Sequence, residues 1–320
     1  MLRRAIACVR HTGVGDFAKS TQDLIRSTER ITHERGTHIH THTLSVIHSI
    51  LVKIMSEVSP PQKRRILFIG NSLTSHRGRS LDHIFRQWGY HSEAKTIGGA
   101  TLSDIQKKAG PAVLSVISSG SFHAVVLQED LPEYLNNGRL RPVGIEHLVG
   151  PFRKAVAYFT SAIRTSGAVP ILYMAHGYER LAQTSHEDIC RAHREVSRML
   201  EVAVAPGAIA HKLAEQRVSS TVQCSLPLLE PDGEHPSEEG LYLHAATIDL
   251  VAQQALQIEG SCPATSEGEA SVWAPSSMEE STACLLREVA RDALEEWSEY
   301  RARNETPCDG TAVAVERQAM

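Results

Sequence analysis

Short apolar runs alternate with amphipathic segments through the middle of the chain. Ile66–Ile69 is a continuous apolar run that ends at Gly70, as expected of a strand buried on both faces. Similar runs follow at Ala94–Ile97, Ala124–Leu127 and Val169–Met174. These four segments are predicted to be strands, and a fifth strand is predicted to start at Val202–Val204, before Pro206-Gly207.

The segments between the strands have helical periodicity, with apolar residues at steps of three and four. One stripe consists of Val149, Phe152, Val156, Phe159 and Ile163. Another consists of Ile189, Ala192, Val196, Met199 and Ala203. Buried strands that alternate with helices predict a mainly parallel sheet covered by helices on both faces. Ligands of such sheets bind beyond the carboxyl ends of the strands, so the residues that follow the strands are the candidates for catalysis or binding.

The pattern divides the chain into four parts. Residues 1–62 are predicted to be a poorly ordered N-terminal extension, and residues 63–258 the folded α/β domain. Residues 259–303 comprise a linker and a C-terminal helix that packs on the domain, and residues 304–320 a disordered tail. The helix has four large apolar residues for this docking: Leu285, Val289, Leu294 and Trp297.

The N-terminal extension contains an alternating histidine run, with His38, His40 and His42. Alternate residues project to one side of a strand, so this run is able to bind a metal ion, but a histidine-rich tail is the favoured interpretation. An alternative start at Met55 would leave the predicted fold intact.

Composition and charge exclude several classes of protein. The chain has 320 residues, 42% of them hydrophobic, and a net charge of −4, so no overall basic field exists to bind nucleic acid. The longest apolar stretch, Leu44–Met55, is short and interrupted by His48 and Lys53, which argues against a membrane span. The six cysteines lack paired spacing, so a reduced compartment is expected. Without a recognisable signal peptide, the cytoplasm is the default location.

Polar clusters follow the first three strands. Ser72 lies in Gly70–Thr74, where a turn between strand and helix would expose its hydroxyl beside free N–H groups, although serine is also a common N-cap. Gly98-Gly99 is able to bring backbone N–H groups close to a ligand or simply to form a turn that needs a positive φ. Gln128 and Glu129 face either a site or a surface loop.

The loop Glu230–Ser237 carries the strongest chemical signal. Asp232 precedes His235 by three residues, so its carboxylate is able to reach the imidazole. Pro231 fixes its own φ, and Pro236 favours an extended His235. A stiff loop that presents Asp and His favours function over a solvated surface.

The blocks GNSLT, GGATL, LQED and DGEHPS, in this order and strand context, resemble the SGNH (GDSL-type) hydrolase superfamily over about residues 64–255. The resemblance implies a flavodoxin-like three-layer α/β/α sandwich. It also implies a serine esterase that needs no cofactor or metal and acts on a small-molecule ester.

The resemblance also implies the roles of individual residues. Ser72 is the implied nucleophile, His235 the base and Asp232 its orienting partner. The Ser72 N–H, the Gly99 (or Gly98) N–H and the Gln128 side chain form the implied oxyanion hole.

Asn71 replaces the usual Asp before the serine, and Gln128 replaces the usual Asn. The pair Gln128-Glu129 is similar to that of sugar O-acetylesterase branches, which points to an acetylated carbohydrate. Glu129 is expected to shape its loop by hydrogen bonds to the backbone. His176, after the fourth strand, is a candidate pocket residue, and His244 is expected to be a packed structural histidine.

Two alternatives to the esterase stay open. An O-acyltransferase would use the same serine, histidine and aspartate. A non-catalytic module would bind a phosphate or nucleotide at Gly98-Gly99, but the chain lacks a phosphate-binding glycine motif there.

Overall fold

The computed structural model describes a large part of the second of two compact units, Lys63–Met320. The described residues are 64–130, 133–136, 139–142, 145–178, 186–220, 226–256 and 278–304. The predicted N-terminal extension with its histidine run, the linker after residue 258 and the tail from residue 305 lie outside them.

Five parallel strands form the central sheet. They are β1 (Arg65–Gly70), β4 (His91–Thr96), β5 (Ala124–Gln128), β8 (Val169–Tyr173) and β9 (Ala203–Ala205), numbered in chain order. Their spatial order is β4-β1-β5-β8-β9, and every neighbouring pair is parallel. This is the doubly wound, flavodoxin-like order, so the predicted fold class is confirmed.

The main helices form two groups. They are α1 (Leu81–Gln87), α2 (Leu102–Ser119), α3 (Ile145–Thr165), α4 (His186–Leu200), α5 (Gly207–Ser220), α6 (Glu238–Ala255) and α7 (Glu280–Arg303). Helix α3 packs between α2 and α4, whereas α6 packs against α1, α5 and α7. None of the described helices has the length and apolarity needed to cross a bilayer.

The strands inside the sheet coincide with the predicted apolar runs, whereas the edge strand β4 extends beyond its predicted run. Ile66–Ile69 of β1 and Val125–Leu127 of β5 are almost completely buried, because both strands lie inside the sheet. Strand β4 begins at His91, three residues before the predicted Ala94. It lies at the edge, where His91 and Lys95 are exposed, so its first half lacks an apolar run.

The helical stripes are confirmed in their central parts. Phe152, Val156, Phe159 and Ile163 are buried, as are Ile189, Ala192 and Val196. The second stripe ends earlier than predicted, because α4 stops at Leu200: Met199 is 44% exposed, and Ala203 belongs to β9. In α7, Val289 and Trp297 are buried, and Leu285 and Leu294 are partly buried against the core.

The chain after Ser72 corrects one prediction. No helix begins there: a short antiparallel hairpin, β2 (Ser75–His76) and β3 (Arg79–Ser80), comes first. Arg77 and Gly78 form its turn with φ values of 46° and 82°, as a tight two-residue hairpin requires. Helix α1 then starts behind the N-cap Ser80, whose side chain accepts a hydrogen bond from the His83 N–H. A second hairpin consists of β6 (Glu133–Asn136) and β7 (Arg139–Pro142).

Candidate active site

The turn directly after β1 carries Ser72, and buried side chains fix this turn by hydrogen bonds. Gln128 Oε1 accepts hydrogen bonds from the Asn71 N–H (2.8 Å) and the Thr74 hydroxyl (3.1 Å). The side-chain oxygen of Asn71, a fully buried residue, accepts from the Leu73 N–H at 2.9 Å. The turn therefore has a fixed shape before any ligand arrives.

Glycine is the only residue type that fits at position 70, at the start of this turn. A Cβ at this position would lie 2.5 Å from both Gln128 Oε1 and Thr74 Oγ1. Side chains do not tolerate such contacts, so glycine allows the Gln128 amide to approach the backbone of the turn.

Ser72 is the one residue of this turn whose polar groups remain available. Within the described part of the chain, neither its hydroxyl nor its N–H is hydrogen-bonded to protein, and the residue is half-buried. The N–H groups of Asn71, Leu73, Thr74 and Ser75 are all engaged. The Ser72 N–H thus stays free to bind a negative charge, although no helix begins at this turn.

Gly98 and Gly99, after β4, are exposed and offer two further N–H groups. Neither N–H is bonded to an acceptor among the described residues. Gly99 has a φ of +61°, so the turn does require a glycine conformation. A Cβ at either position would meet nothing within 4 Å, which leaves space for a ligand above the glycine backbone.

Gln128 supports the turn and is not directed at solvent. It is 1% exposed, and its amide nitrogen donates to the Glu129 carbonyl at 2.7 Å. Donation of an N–H by Gln128 to an oxyanion stays a prediction. It requires either that the second hydrogen of the amide points to the oxyanion or that the amide breaks its hydrogen bond to the Glu129 carbonyl. The sequence did not indicate this supporting role, because it depends on the contact between β5 and the turn after β1.

Glu129 shapes its loop through the backbone, as predicted. Its Oε1 accepts from the Leu102 N–H at the start of α2 (3.1 Å) and from the Asp130 N–H (2.9 Å). Burial, with nearby Asp130 and Asp104, raises the pKa of Glu129 to about 8 against the opposing effect of these two hydrogen bonds. The carboxyl group is therefore mainly protonated at neutral pH.

Asp232 and His235 form a hydrogen-bonded pair. His235 Nδ1 lies 2.9 Å from Asp232 Oδ2, and Asp232 Oδ1 accepts from the backbone N–H groups of His235 and Glu234. Burial alone would raise the pKa of Asp232, but these hydrogen bonds hold it well below its usual range. An ionised carboxylate only accepts, so Nδ1 carries the proton and Nε2 presents its lone pair.

The loop that bears this pair is closed by its own backbone. The Glu230 N–H donates to the His235 carbonyl at 2.8 Å, and the Gly233 N–H to the Glu230 carbonyl at 3.0 Å. Gly233 has a φ of +64° in this turn. Ser237, two residues after His235, caps α6 by accepting from the Gly240 N–H. The stiff loop predicted from the two prolines is present.

The hairpin after Ser72 contacts this loop directly. The His76 ring stacks on the His235 ring, with 3.5 Å between centroids and 9° between planes. Arg79 and Arg77 both pair with the Glu230 carboxylate. His76 is four residues after Ser72, so this stacking brings the serine turn and the histidine loop to the same end of the sheet.

His176 does not line an accessible pocket, contrary to the expectation. It is 2% exposed and lies behind the loop, where its Nε2 donates to the Glu234 carbonyl at 2.8 Å. Its Nδ1 lies 3.1 Å from Nε2 of His244, which is fully buried, as expected. Burial, with His211 and His235 nearby, lowers the pKa of His176 to about 3.

Four residues of the site had no role predicted from the sequence: His76, Arg77, Arg79 and Glu230. Each contacts the loop or belongs to it, but none has a motif that signals this role. The sequence contains one signal for this part of the site, the pair Arg77-Gly78, which is compatible with a tight turn between two polar dipeptides. This pair indicates a hairpin, but it does not indicate that the hairpin contacts the loop with Asp232 and His235.

Two groups of described side chains are arranged so that they could hold a metal ion. One is His76, Asp232 and His235, and the other is His176, His211 and His244. In the first group the two imidazoles are stacked face to face, and His235 Nδ1 is already hydrogen-bonded to Asp232.

Comparisons with known proteins concern the architecture. No family model and no curated protein matches the chain. The solved structure of TesA has a TM-score of 0.42 at 14% identity, covering 60% of this chain and 99% of that one. Axe2, an acetylxylan esterase from Geobacillus stearothermophilus, has a TM-score of 0.42 at 13% identity and covers 60% and 94%.

A GDSL-like lipase from Bacteroides thetaiotaomicron is also similar, with a TM-score of 0.38 at 15% identity, covering 65% of this chain and 96% of that one. The chain is thus similar in architecture to GDSL-type esterases and lipases. At these identities and TM-scores the likeness carries no argument about chemistry, which depends on this chain's own residues.

Proposed function

We propose that this protein is a serine ester hydrolase that cleaves small acyl esters, acetyl esters above all, through an acyl-enzyme on Ser72. One observation carries the proposal: His235 Nδ1 is bonded to the ionised Asp232 at the end of the sheet where the Ser72 turn lies. This bond leaves the His235 Nε2 lone pair as a base with a fixed orientation.

In the proposed reaction, the Ser72 hydroxyl attacks the ester carbonyl while His235 Nε2 takes its proton. The bond to the alcohol then breaks, and His235 returns the proton to the leaving alkoxide. A water molecule, deprotonated by His235, then attacks the acyl-enzyme; the bond to Ser72 breaks, the acid leaves, and His235 returns the proton to the Ser72 oxygen. Asp232 stays ionised throughout and stabilises the imidazolium.

No hydrogen bond joins the Ser72 hydroxyl to His235 among the described residues. Such bonds are often long or poorly aligned before the substrate binds. The proposal therefore requires the substrate-bound state to bring the hydroxyl and Nε2 within about 3 Å.

The negative charge that develops on the carbonyl oxygen would be bound by the free N–H groups of Ser72 and of Gly99 or Gly98. Removal of one such donor typically costs about 3 kcal/mol of transition-state stabilisation. We assign Gln128 a second role in the proposed mechanism: its hydrogen bonds fix the turn, so that the Ser72 N–H stays directed at the oxyanion.

The proposed substrate class is an acetylated carbohydrate. The support is the Gln128-Glu129 pair, which is similar to the pair in sugar O-acetylesterase branches, and the open space above Gly98 and Gly99.

The test is hydrolysis of p-nitrophenyl esters of increasing acyl length by wild type, Ser72→Ala and Ser75→Ala. Ser75 lies in the same segment and is half-buried, so its variant is a matched control. We expect Ser72→Ala to lose at least about 10³-fold in kcat/KM and Ser75→Ala to stay within a few-fold. Rates that fall steeply beyond acetate would support a small acyl pocket.

Equal rates for wild type and Ser72→Ala would overturn the serine mechanism. Acetylated xylo-oligosaccharides test the carbohydrate part of the proposal, with acetate release as the readout. Addition of an alcohol acceptor separates the acyltransferase alternative, because a transferase yields the new ester in place of free acetate.

A further inference from the structure

Three histidines from separate elements meet in the interior, behind the loop that carries Asp232 and His235. His176 follows β8, His211 lies on α5 and His244 on α6, and they are 2%, 5% and 0% exposed. One ring nitrogen of each lies within 4.8 Å of the other two. Their ring planes are within 17° of one another. Burial of three imidazoles together is costly unless their nitrogens have partners.

The hydrogen bonds of His176 define its tautomer. Its Nε2 lies 2.8 Å from the Glu234 carbonyl, which only accepts, so Nε2 carries the proton. Nδ1 of the neutral ring is then a lone pair, and it faces His244 Nε2 at 3.1 Å. A tetrahedral zinc site with Zn–N bonds of about 2.05 Å places its nitrogens about 3.3 Å apart, so these two atoms are already close to the required separation.

In His211, too, one ring nitrogen lies near an acceptor and the other is available as a ligand. Its Nε2 lies 3.4 Å from Glu215 Oε1, and its Nδ1 is buried without a hydrogen-bond partner among the described residues. Histidines that bind metals usually donate the outer N–H to a carbonyl or carboxylate and use the other nitrogen as ligand. His176 and His211 both match this pattern, one with a backbone carbonyl and the other with a carboxylate.

We propose that His176 Nδ1, His211 Nδ1 and His244 Nε2 bind one divalent cation of the zinc class. Three neutral imidazoles are a common ligand set for Zn²⁺, with a fourth position for water. Binding breaks the hydrogen bond between His176 and His244, and the His244 proton moves from Nε2 to Nδ1, because Nε2 must present a lone pair to the cation while the ring stays neutral.

The site has a structural consequence for the neighbouring loop. His176 Nε2 keeps its hydrogen bond to the Glu234 carbonyl when Nδ1 binds the metal. Glu234 precedes His235 directly, so the cation would restrain the segment that presents the Asp232–His235 pair. Metal binding itself is independent of the proposed esterase activity and is measured without it.

The test is Zn²⁺ and Co²⁺ titration of full-length protein in which His38, His40 and His42 are replaced by alanine, so that the N-terminal run does not contribute. Binding is measured by competition with a chromophoric chelator, and metal content after gel filtration by mass spectrometry. We expect one Zn²⁺ per chain, visible Co²⁺ absorption bands typical of four-coordinate nitrogen ligation, and a higher Tm with metal than with chelator.

His211→Gln is the main variant, and His193→Gln is its matched control. His193 is also buried (2% exposed) and bonded to a backbone carbonyl, but it belongs to neither cluster. We expect His211→Gln to weaken Zn²⁺ binding at least about 100-fold and His193→Gln to retain it. His244→Gln is a second variant, in case the first does not fold.

Failure of the starting protein to bind stoichiometric metal would overturn the proposal and would indicate buried water at the unpartnered nitrogens. Equal binding by His211→Gln and His193→Gln would overturn it too, because the metal would then lie elsewhere. Neither result bears on esterase activity, which the Ser72→Ala experiment tests separately.

Discussion

The two halves of the candidate site are held in different ways. The serine half, around Asn71 and Ser72, is supported by the buried side chain of Gln128, and the next residue, Glu129, binds the backbone at the start of α2. The histidine half is a partly exposed loop, held by its own turn, by ion pairs with the β2–β3 hairpin and by the His176 hydrogen bond. The first half depends on the core, and the second on contacts at the rim of the sheet.

One carboxyl group in each half illustrates the difference. Burial raises the pKa of Glu129 to about 8, whereas hydrogen bonds to the ionised form hold the pKa of Asp232 well below its usual range. Glu129 is thus suited to support a backbone, and Asp232 to stabilise a charged imidazole. Carboxyl groups whose environments shift their pKa values in opposite directions commonly have such separate tasks.

Among the variants that probe the difference between the two halves, the largest effect is expected for Asp232→Asn. An Asn side chain is able to donate an N–H to His235 Nδ1, which would move the imidazole proton to Nε2 and remove the base. We expect kcat for p-nitrophenyl acetate to fall at least about 10²-fold with little change in KM. We expect only a modest fall in Tm at neutral pH, because Asn loses the charge but keeps an acceptor oxygen for the Glu234 and His235 N–H groups. A large loss of Tm with unchanged kcat would show that Asp232 is structural.

A smaller effect is expected for the ring stacked on His235. His76→Ala removes the stack, and we expect kcat/KM to fall about 10-fold, because His235 gains freedom to turn away from Ser72. His76→Phe keeps an aromatic face and should retain most of the activity. Equal losses in both variants would contradict a stacking role and point to the His76 nitrogens.

The smallest effect on activity, and a distinct effect on stability, is expected for Glu129→Gln. The folded-state pKa of Glu129, about 8, lies above its reference value of 4.5. The folded state therefore binds the extra proton, and its contribution to stability is complete below about pH 4.5 and is lost as the pH rises through 8. Gln keeps a carbonyl acceptor for Leu102 and Asp130 but does not titrate.

The measurement is Tm from pH 5 to pH 9 for wild type and Glu129→Gln. We expect the wild-type Tm to fall by about 8 °C relative to the variant over this range, from about 4 kcal/mol of lost stability. Asp232→Asn serves as the comparison, because its carboxylate has the opposite shift and contributes stability only above its reference pKa. A constant difference between the wild-type and Glu129→Gln curves would show that Glu129 is ionised throughout.

Much of the fold followed from the sequence because its strands are local apolar runs. Ile66–Ile69 and Ala124–Leu127 were identified by composition alone, since a strand inside a parallel sheet is buried on both faces. The first half of the edge strand β4 and the whole β2–β3 hairpin were not identified, because exposed strand segments have no such run. The expected helix after Ser72 was wrong for the same reason.

What the sequence determined by itself is the set of local relations: the order of the elements, the spacing of Asp232 and His235 in one turn, and the glycine needed at Gly99. These depend on backbone geometry within a few residues. Only the tertiary structure decided that Gln128 supports the turn, that His76 stacks on His235 and that His176 meets His211 and His244. Those contacts join residues tens of positions apart, so they arise only when the chain packs around the sheet.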